Sequence, residues 1–259
     1  MQLITWSVSP EIFSLGPIHV RWYGLLFAMS FIVGYQIFTW IFKIEKRSEN
    51  DLNDLVWYMI LGTVIGARLG HCLFYNPDYY LSHPLEILMV WKGGLASHGA
   101  AIAIPTAIYL FVKKRPKFTF LRVMDRIVIT VALAAFFIRM GNLFNSEIVG
   151  KPTDLPWGFV FTSIDNVPRH PAQLYEAIAY LIIFVVLFFQ YKKQKENIKD
   201  GILFGEFLIG IFGFRFFVEF VKENQSLFEN SMSFNMGQIL SIPLVILGIY
   251  LLAIRKESQ

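Results

Sequence analysis

A single cysteine, Cys72, excludes an intramolecular disulfide and any cysteine-rich metal site. Its neighbours in "LGHCLFY" are apolar, so the thiol reads as buried and inert. Charge is scarce too: charged residues are 16% of the chain against 55% hydrophobic ones, with a mean hydropathy of +0.52. A soluble domain of 259 residues needs more charge than this to cover its surface. No low-complexity tract and no break in composition marks a second, soluble domain. The N-terminus has no basic residue before Arg21 and no clear cleavage site, so it does not read as a signal peptide and the first helix is expected to be retained. The net charge of +4 does not point to nucleic acid, because the basic residues sit in short clusters between apolar runs.

What is abundant is long apolar runs. They predict seven membrane spans, at about 19–42, 53–75, 85–112, 121–144, 171–191, 201–221 and 236–254. The expectation is an all-α polytopic membrane protein, a single integral-membrane domain over residues 1–259. The connectors after spans 1, 3, 5 and 7, with Arg122 and Arg126, hold 15 Lys and Arg residues, whereas the opposite side holds 4. The positive-inside rule then puts the N-terminus outside and the C-terminus in the cytoplasm. The connector at about 145–170 is long enough for a small outer cap. Span 3 is too long for one helix and contains Gly93 and Gly94. A short half-helix, a glycine break and a true span from about Leu95 are expected, irregular backbone at membrane depth being a mark of a buried or watered cavity.

Charges inside the spans carry the functional signal. Arg68, Arg139 and Arg215 fall about 8–11 Å below the outer boundary at about 1.5 Å per residue, and His98 falls at a similar depth. Arg21 and Tyr23 open span 1 from outside. Each has a bland explanation: Arg215 and Glu219 are spaced for an intrahelical pair, arginines near an interface snorkel, and a histidine can bond a carbonyl. Jointly they are harder to dismiss, since ionisable residues in spans usually mark a site or a pathway. Arginine grips phosphate with a fork of donors, and histidine accepts a proton near neutral pH. Together they suit a phospholipid headgroup. A transporter would favour mid-membrane carboxylates and paired broken helices in repeated halves; "ARLG" and "IRMG" are only a weak echo. An intramembrane serine protease lacks a second Ser/His candidate, since Ser97 adjoins His98.

The blocks "VRWYGLLFA", "GARLGHCLFYNP", "WKGGLASHGA", "IRMGNLFNSEIVG", "RHPAQLYEA", "FGFRFFVEF" and "MGQILSIP" occur in order between about residues 18 and 254. This ordered set closely resembles the prolipoprotein diacylglyceryl transferases, bacterial inner-membrane enzymes. The resemblance implies transfer of a diacylglyceryl group from phosphatidylglycerol to the lipobox cysteine of a prolipoprotein signal peptide. A thioether forms and glycerol phosphate leaves, without cofactor, metal or nucleic acid, in the cytoplasmic (inner) membrane with the active site toward the outer leaflet. By motif, Arg139 binds the headgroup, with Asn142, Asn145, Glu147 and Gly150 shaping that block. His98, followed by Gly99, is the proposed base for the thiol. Arg215 and Glu219 match the family's essential pair and Tyr23 its essential tyrosine; Arg68 is counted with the substrate-binding residues. His170, Tyr175 and Glu176 match the block that opens span 5.

Two positions depart from the family pattern: Ile138 stands where glycine is usual and Leu143 where phenylalanine is usual. The polar members of the block are intact. Two rival readings use the same arginines: a non-catalytic lipid transporter or scramblase, and another headgroup-directed transferase. A relay of headgroups needs neither a base nor asparagines, which favours an enzyme.

Overall fold

The computed structural model describes residues 3–16, 18–90, 93–94, 96–224, 229 and 231–256, with the backbone alone for 18, 97, 98, 255 and 256. Leu95, where span 3 was expected to restart, lies outside the described residues. Eight helices are seen among the described residues: α1 (Trp22–Ile44), α2 (Glu49–Phe74), α3 (Pro77–Ser82), α4 (Ser97–Lys114), α5 (Phe120–Phe144), α6 (Ala172–Gln194), α7 (Ile202–Val218) and α8 (Met236–Lys256). Five are long and apolar enough to cross a membrane: Trp22–Ile44, Glu49–Phe74, Phe120–Phe144, Ala172–Asn197 and Met236–Ile254. The remaining two predicted spans correspond to α4, of 18 residues, and α7, of 17.

The all-helical expectation needs three corrections. Five short strands are present among the described residues: β1 (Ile4–Trp6), β2 (Glu11–Leu15), β3 (Ile18–Arg21), β4 (Phe159–Phe161) and β5 (Pro168–Arg169). β1 runs parallel to β4, β4 antiparallel to β5, and β2 and β3 form a hairpin. Span 1 therefore starts at Trp22 rather than 19, because residues 18–21 pair with β2, and Arg21 meets Glu11 at 3.5 Å across that hairpin. Span 6 ends at Val218, and Glu219 opens a 3-10 turn, Glu219–Val221. Arg215 is thus in the last turn of α7.

The chain divides into two compact units, Met1–Ile37 with Asp125–Gln259, and Phe38–Met124. In the second, α2 and α4 pack along a seam of small residues. Gly62, Gly66 and Gly70 recur every four residues on α2, and meet Ala107, Ala103 and Gly99 on α4. A Cβ at Gly70 would lie 2.7 Å from the Gly99 Cα, so the backbones touch where side chains would stand. Cys72 is fully buried in this unit. The N-terminal end of α2 is capped by Ser48, whose hydroxyl accepts from Asp51 N at 3.2 Å. Asp51 also takes Arg115 at 3.1 Å and Lys117 at 2.5 Å.

The predicted break before α4 is real. A 3-10 segment, Pro84–Leu88, is followed by Gly93 and Gly94 at φ 83° and 69°, a left-handed conformation open to glycine. Arg68 holds this loop. Only 2% exposed, it donates from Nε to Ile87 O (3.0 Å), from Nη1 to Gly93 O (2.6 Å) and Gly94 O (3.3 Å), and from Nη2 to Glu86 O (2.5 Å).

In the first unit, Asp125 caps α7 from α5, accepting from Gly201 N at 2.6 Å and Phe204 N at 2.8 Å. α8 opens with a reciprocal box: Gln238 N donates to Asn235 Oδ1 (2.9 Å) and Asn235 N to Gln238 Oε1 (3.1 Å). Leu143, Val149, Phe159 and Phe161 form a buried cluster beneath the 145–150 loop. Leu143 is thus a core residue, 2% exposed, and smaller than the phenylalanine of the family pattern.

Candidate active site

The central block comes together in the first unit. Arg139 projects from α5 with its side chain only 13% exposed, and its Nε lies 3.0 Å from Glu176 Oε2 on α6. Its Nη1 donates to Asn142 Oδ1 at 3.3 Å, one turn further on. Asn142 Nδ2 and Asn145 Nδ2 donate to the two oxygens of Glu147, at 3.1 and 3.2 Å. The Glu147 backbone is fixed from α6 by Gln173 Nε2, 2.6 Å from Glu147 O. Next to it Ile148 has φ 58°, a strained conformation for a β-branched residue, of the kind that surrounding structure must hold in place. Tyr23 on α1 packs on Gly141, where a Cβ would approach its ring at 2.7 Å.

A second set of charges continues this one. Glu219 faces Arg215 Nε at 3.6 Å and Lys222 Nζ at 2.6 Å, both through Oε1, while Oε2 accepts from Asn235 Nδ2 at 3.1 Å. Gly237 makes room for this carboxylate, since a Cβ there would stand 2.5 Å from it. Lys222 Nζ is also 3.8 Å from Glu176 Oε2, the oxygen that faces Arg139. Tyr180, one turn along α6, donates to Glu176 Oε1 at 2.9 Å. Burial pulls the Lys222 ammonium below the usual lysine range, with Glu176 opposing that shift, then Glu219.

Gly150 sits where three segments meet. Its N donates to His170 O at 2.9 Å, and it bridges to Lys222, with Lys151 N donating to Val221 O at 2.8 Å. A Cβ at this glycine would lie 2.5 Å from His170 Cβ and 2.7 Å from Val221 O. His170 Nδ1 is 3.3 Å from Tyr175 Oη, which accepts from Trp157 Nε1 at 3.0 Å. Burial lowers the His170 imidazole from its ordinary value. Outside this layer, Arg169 ties Asp165 (2.6 Å) to Glu223 (2.7 Å); its hydrogen bond holds the Asp165 carboxyl below the usual range.

The structure thus gathers Tyr23, Arg139, Asn142, Asn145, Glu147, Gly150, His170, Tyr175, Glu176, Arg215 and Glu219 in one unit. Arg68, Gly99 and the backbone of His98 belong to the other; the His98 side chain lies outside the described residues. Among the described residues Arg68 forms no ion pair. Four of its donor contacts go to backbone carbonyls, so its visible role is to hold the turn that leads into α4. Four residues of the cluster escape sequence reasoning: Tyr180, Lys222, Asn235 and Gly237. The Asn235-x-x-Gln238 spacing was a readable capping signal, and Tyr180 is four residues from Glu176. Nothing in the spacing distinguishes Lys222 from an ordinary loop lysine.

Fold and site together define a polytopic helical membrane protein with a buried, arginine-bearing polar cluster. The profile of the prolipoprotein diacylglyceryl transferase family matches residues 10–254, and the chain belongs to that family. It is 51% identical over 249 residues to the phosphatidylglycerol–prolipoprotein diacylglyceryl transferase of Chloroherpeton thalassium, covering 96% of this chain and 93% of the relative. Proteins with the same name from Tolumonas auensis (47% over 257 residues, 99% of each chain) and Bacteroides fragilis (48% over 259 residues, 95% and 93%) are similar along their whole length.

Proposed function

We propose that the protein transfers the diacylglyceryl group of phosphatidylglycerol to the lipobox cysteine thiol of prolipoproteins, the first step of bacterial lipoprotein maturation. Membership of the family, together with the Arg139–Glu176 pair set among Asn142, Glu147 and Tyr23, is the observation that supports this most directly. In the reaction the cysteine sulfur attacks the glycerol carbon that carries the phosphate. The carbon–oxygen bond breaks, a carbon–sulfur bond forms, and glycerol phosphate departs with the electron pair. The thiol proton passes to a base, for which His98 at the start of α4 is our candidate.

The substrate supplies the nucleophile, so the protein needs none. A thiol with a pKa of about 8.5 needs only modest help to ionise. Expelling a phosphate monoester from an alkyl carbon is harder, and Arg139 and Arg215 are assigned to stabilise the charge building on it. Asn142, Asn145 and Tyr23 position the headgroup, and Glu147, Gly150 and Glu219 shape the site. His170, Tyr175 and Glu176 support it from α6 and the segment before it. Arg68 and Gly99 act through the turn and seam that place α4.

The same reading makes the chain one transferase domain of seven spans, α4 and α7 completing the set. α7 with its 17 residues covers about 26 Å, close to a hydrocarbon core of about 30 Å. The asymmetry of Lys and Arg supports an external N-terminus, a cytoplasmic C-terminus and a site under the outer leaflet of the bacterial inner membrane. The test is purified protein with phosphatidylglycerol and a lipobox peptide, followed by mass spectrometry. A peptide carrying the mass of one diacylglyceryl group is expected. Lipid movement across vesicles with no adduct would instead establish the scramblase reading.

A further inference from the structure

Lys222 has no part in the roles assigned above, yet it is 3% exposed and sits between the two halves of the charge cluster. Its Nζ reaches Glu219 at 2.6 Å and Glu176 at 3.8 Å. Its backbone is bridged to Gly150, and Glu223 N donates to Val149 O at 3.2 Å, so the lysine is held on both sides of its own peptide. The order of charges is then Arg139, Glu176, Lys222, Glu219, Arg215, alternating in sign and ending on a cation at each end.

Competition for Glu219 decides how those end cations behave. Arg215 and Lys222 address the same oxygen, Oε1, and the lysine stands 1.0 Å closer (2.6 against 3.6 Å). The other oxygen is taken by Asn235. Arg215 Nε is left buried with no hydrogen-bond partner among the described residues, while its side chain as a whole remains 31% exposed. Without the lysine, the chain separates into two arginine–glutamate pairs, each neutral. A carboxylate facing arginine in a site shielded from water forms a strong charge-assisted pair, and it competes with phosphate for the same fork of donors.

We propose that Lys222 is a positioning residue which occupies Glu219, and so keeps the Arg215 guanidinium open to the phosphate of the lipid headgroup. This rests on the reading that the cluster receives phosphatidylglycerol. It assigns the excess positive charge of the cluster to a residue that touches no substrate.

The test uses full-length purified protein, with sn-glycerol 1-phosphate as a soluble probe in calorimetric titration and phosphatidylglycerol in the transfer assay. Lys222→Met is expected to weaken glycerol phosphate binding roughly 10- to 100-fold, the range of one charge-assisted hydrogen bond. The loss should appear as a raised KM for phosphatidylglycerol more than a lowered kcat. Lys222→Arg is expected to stay within about threefold of wild type in the same titration. Adding Glu219→Gln to Lys222→Met removes the competitor, so the double variant should bind more tightly than the single one. Wild-type affinity in Lys222→Met, or a double variant no tighter than the single, would overturn the proposal. If Lys222→Met does not fold, Glu219→Gln is compared with the double variant. Equal binding supports the assignment, and a further large loss overturns it. Wild-type protein that shows this binding pattern but makes no peptide adduct overturns the transfer reading and leaves the role of Lys222 standing.

Discussion

Glu176 and Arg139 face each other at 3.0 Å from neighbouring positions on α6 and α5, and the carboxylate has no exposed surface. Each is the condition for the other's burial, because an unpaired charge in this setting costs several kcal/mol. The second carboxylate oxygen is held by Tyr180, so Glu176 cannot turn away from the arginine without losing a hydrogen bond.

Glu176→Gln should therefore lower both stability and transfer. The amide keeps the shape and the Tyr180 contact but leaves Arg139 without its counter-charge. A loss of roughly 100-fold in kcat/KM is expected, the scale of a misplaced catalytic group. Steady-state transfer to a lipobox peptide measures it, and a variant within threefold of wild type would show that Arg139 does not depend on Glu176 for its position.

Gly150→Ala tests the junction of three segments. The added methyl meets His170 Cβ at 2.5 Å and backbone at 2.6 and 2.7 Å, contacts that only backbone movement can relieve. Overpacking of this kind costs roughly 1–3 kcal/mol, and the displaced strand carries Lys222 with it. Both the melting temperature and transfer should fall. Unchanged activity with a lowered melting temperature would mean that the strand moves without disturbing the cluster.

Arg68→Lys separates a structural arginine from an anion-binding one. Lysine keeps the charge but cannot reach four carbonyls spread from Glu86 to Gly94. The variant should be destabilised by about 2–4 kcal/mol, since buried carbonyls lose their donors. The KM for phosphatidylglycerol should change less than kcat does. Proteolysis in the 84–94 loop is the direct readout, and it should become faster than in wild type.

The helical frame was legible because its signals are local: five long apolar runs became α1, α2, α5, α6 and α8 within a few residues. The strands were not, since β1 and β4 pair across 155 positions in the chain and neither is longer than three residues. Arg139, Asn142, Glu147 and Glu176, singled out by motif and type, come together in one cluster. The contacts of Arg68 were not legible for a physical reason: its partners lie 18 to 26 residues ahead of it, in a loop whose carbonyls no pattern announces. Lys222 was counted as an orientation charge because a lysine after an apolar run looks the same whether it faces water or two glutamates. The end of α7 at Val218 was not legible, because "EFV" continues the apolar run in composition while the chain has already tightened into a 3-10 turn.

A pH dependence follows from His170. Its folded-state pKa lies below the unfolded value of about 6.5, because burial disfavours the imidazolium. The unfolded state therefore binds more protons in that window, so stability rises with pH through it and is lost on acidification below about 6.5. Melting temperatures of wild type and His170→Gln between pH 5 and 8 should converge at the acidic end, with the wild-type curve the steeper. Parallel curves would assign the slope to other groups.

Cys72 has a consequence that its inertness alone does not convey. A protein proposed to turn thiols into lipid thioethers carries one thiol of its own, and that side chain is sealed from the surface. It cannot enter a site as a mimic of the peptide, so the catalyst is spared from modifying itself or a neighbouring copy. Among bulky electrophiles that label accessible cysteines, the folded protein should remain unmarked, and any labelling would report unfolding of α2.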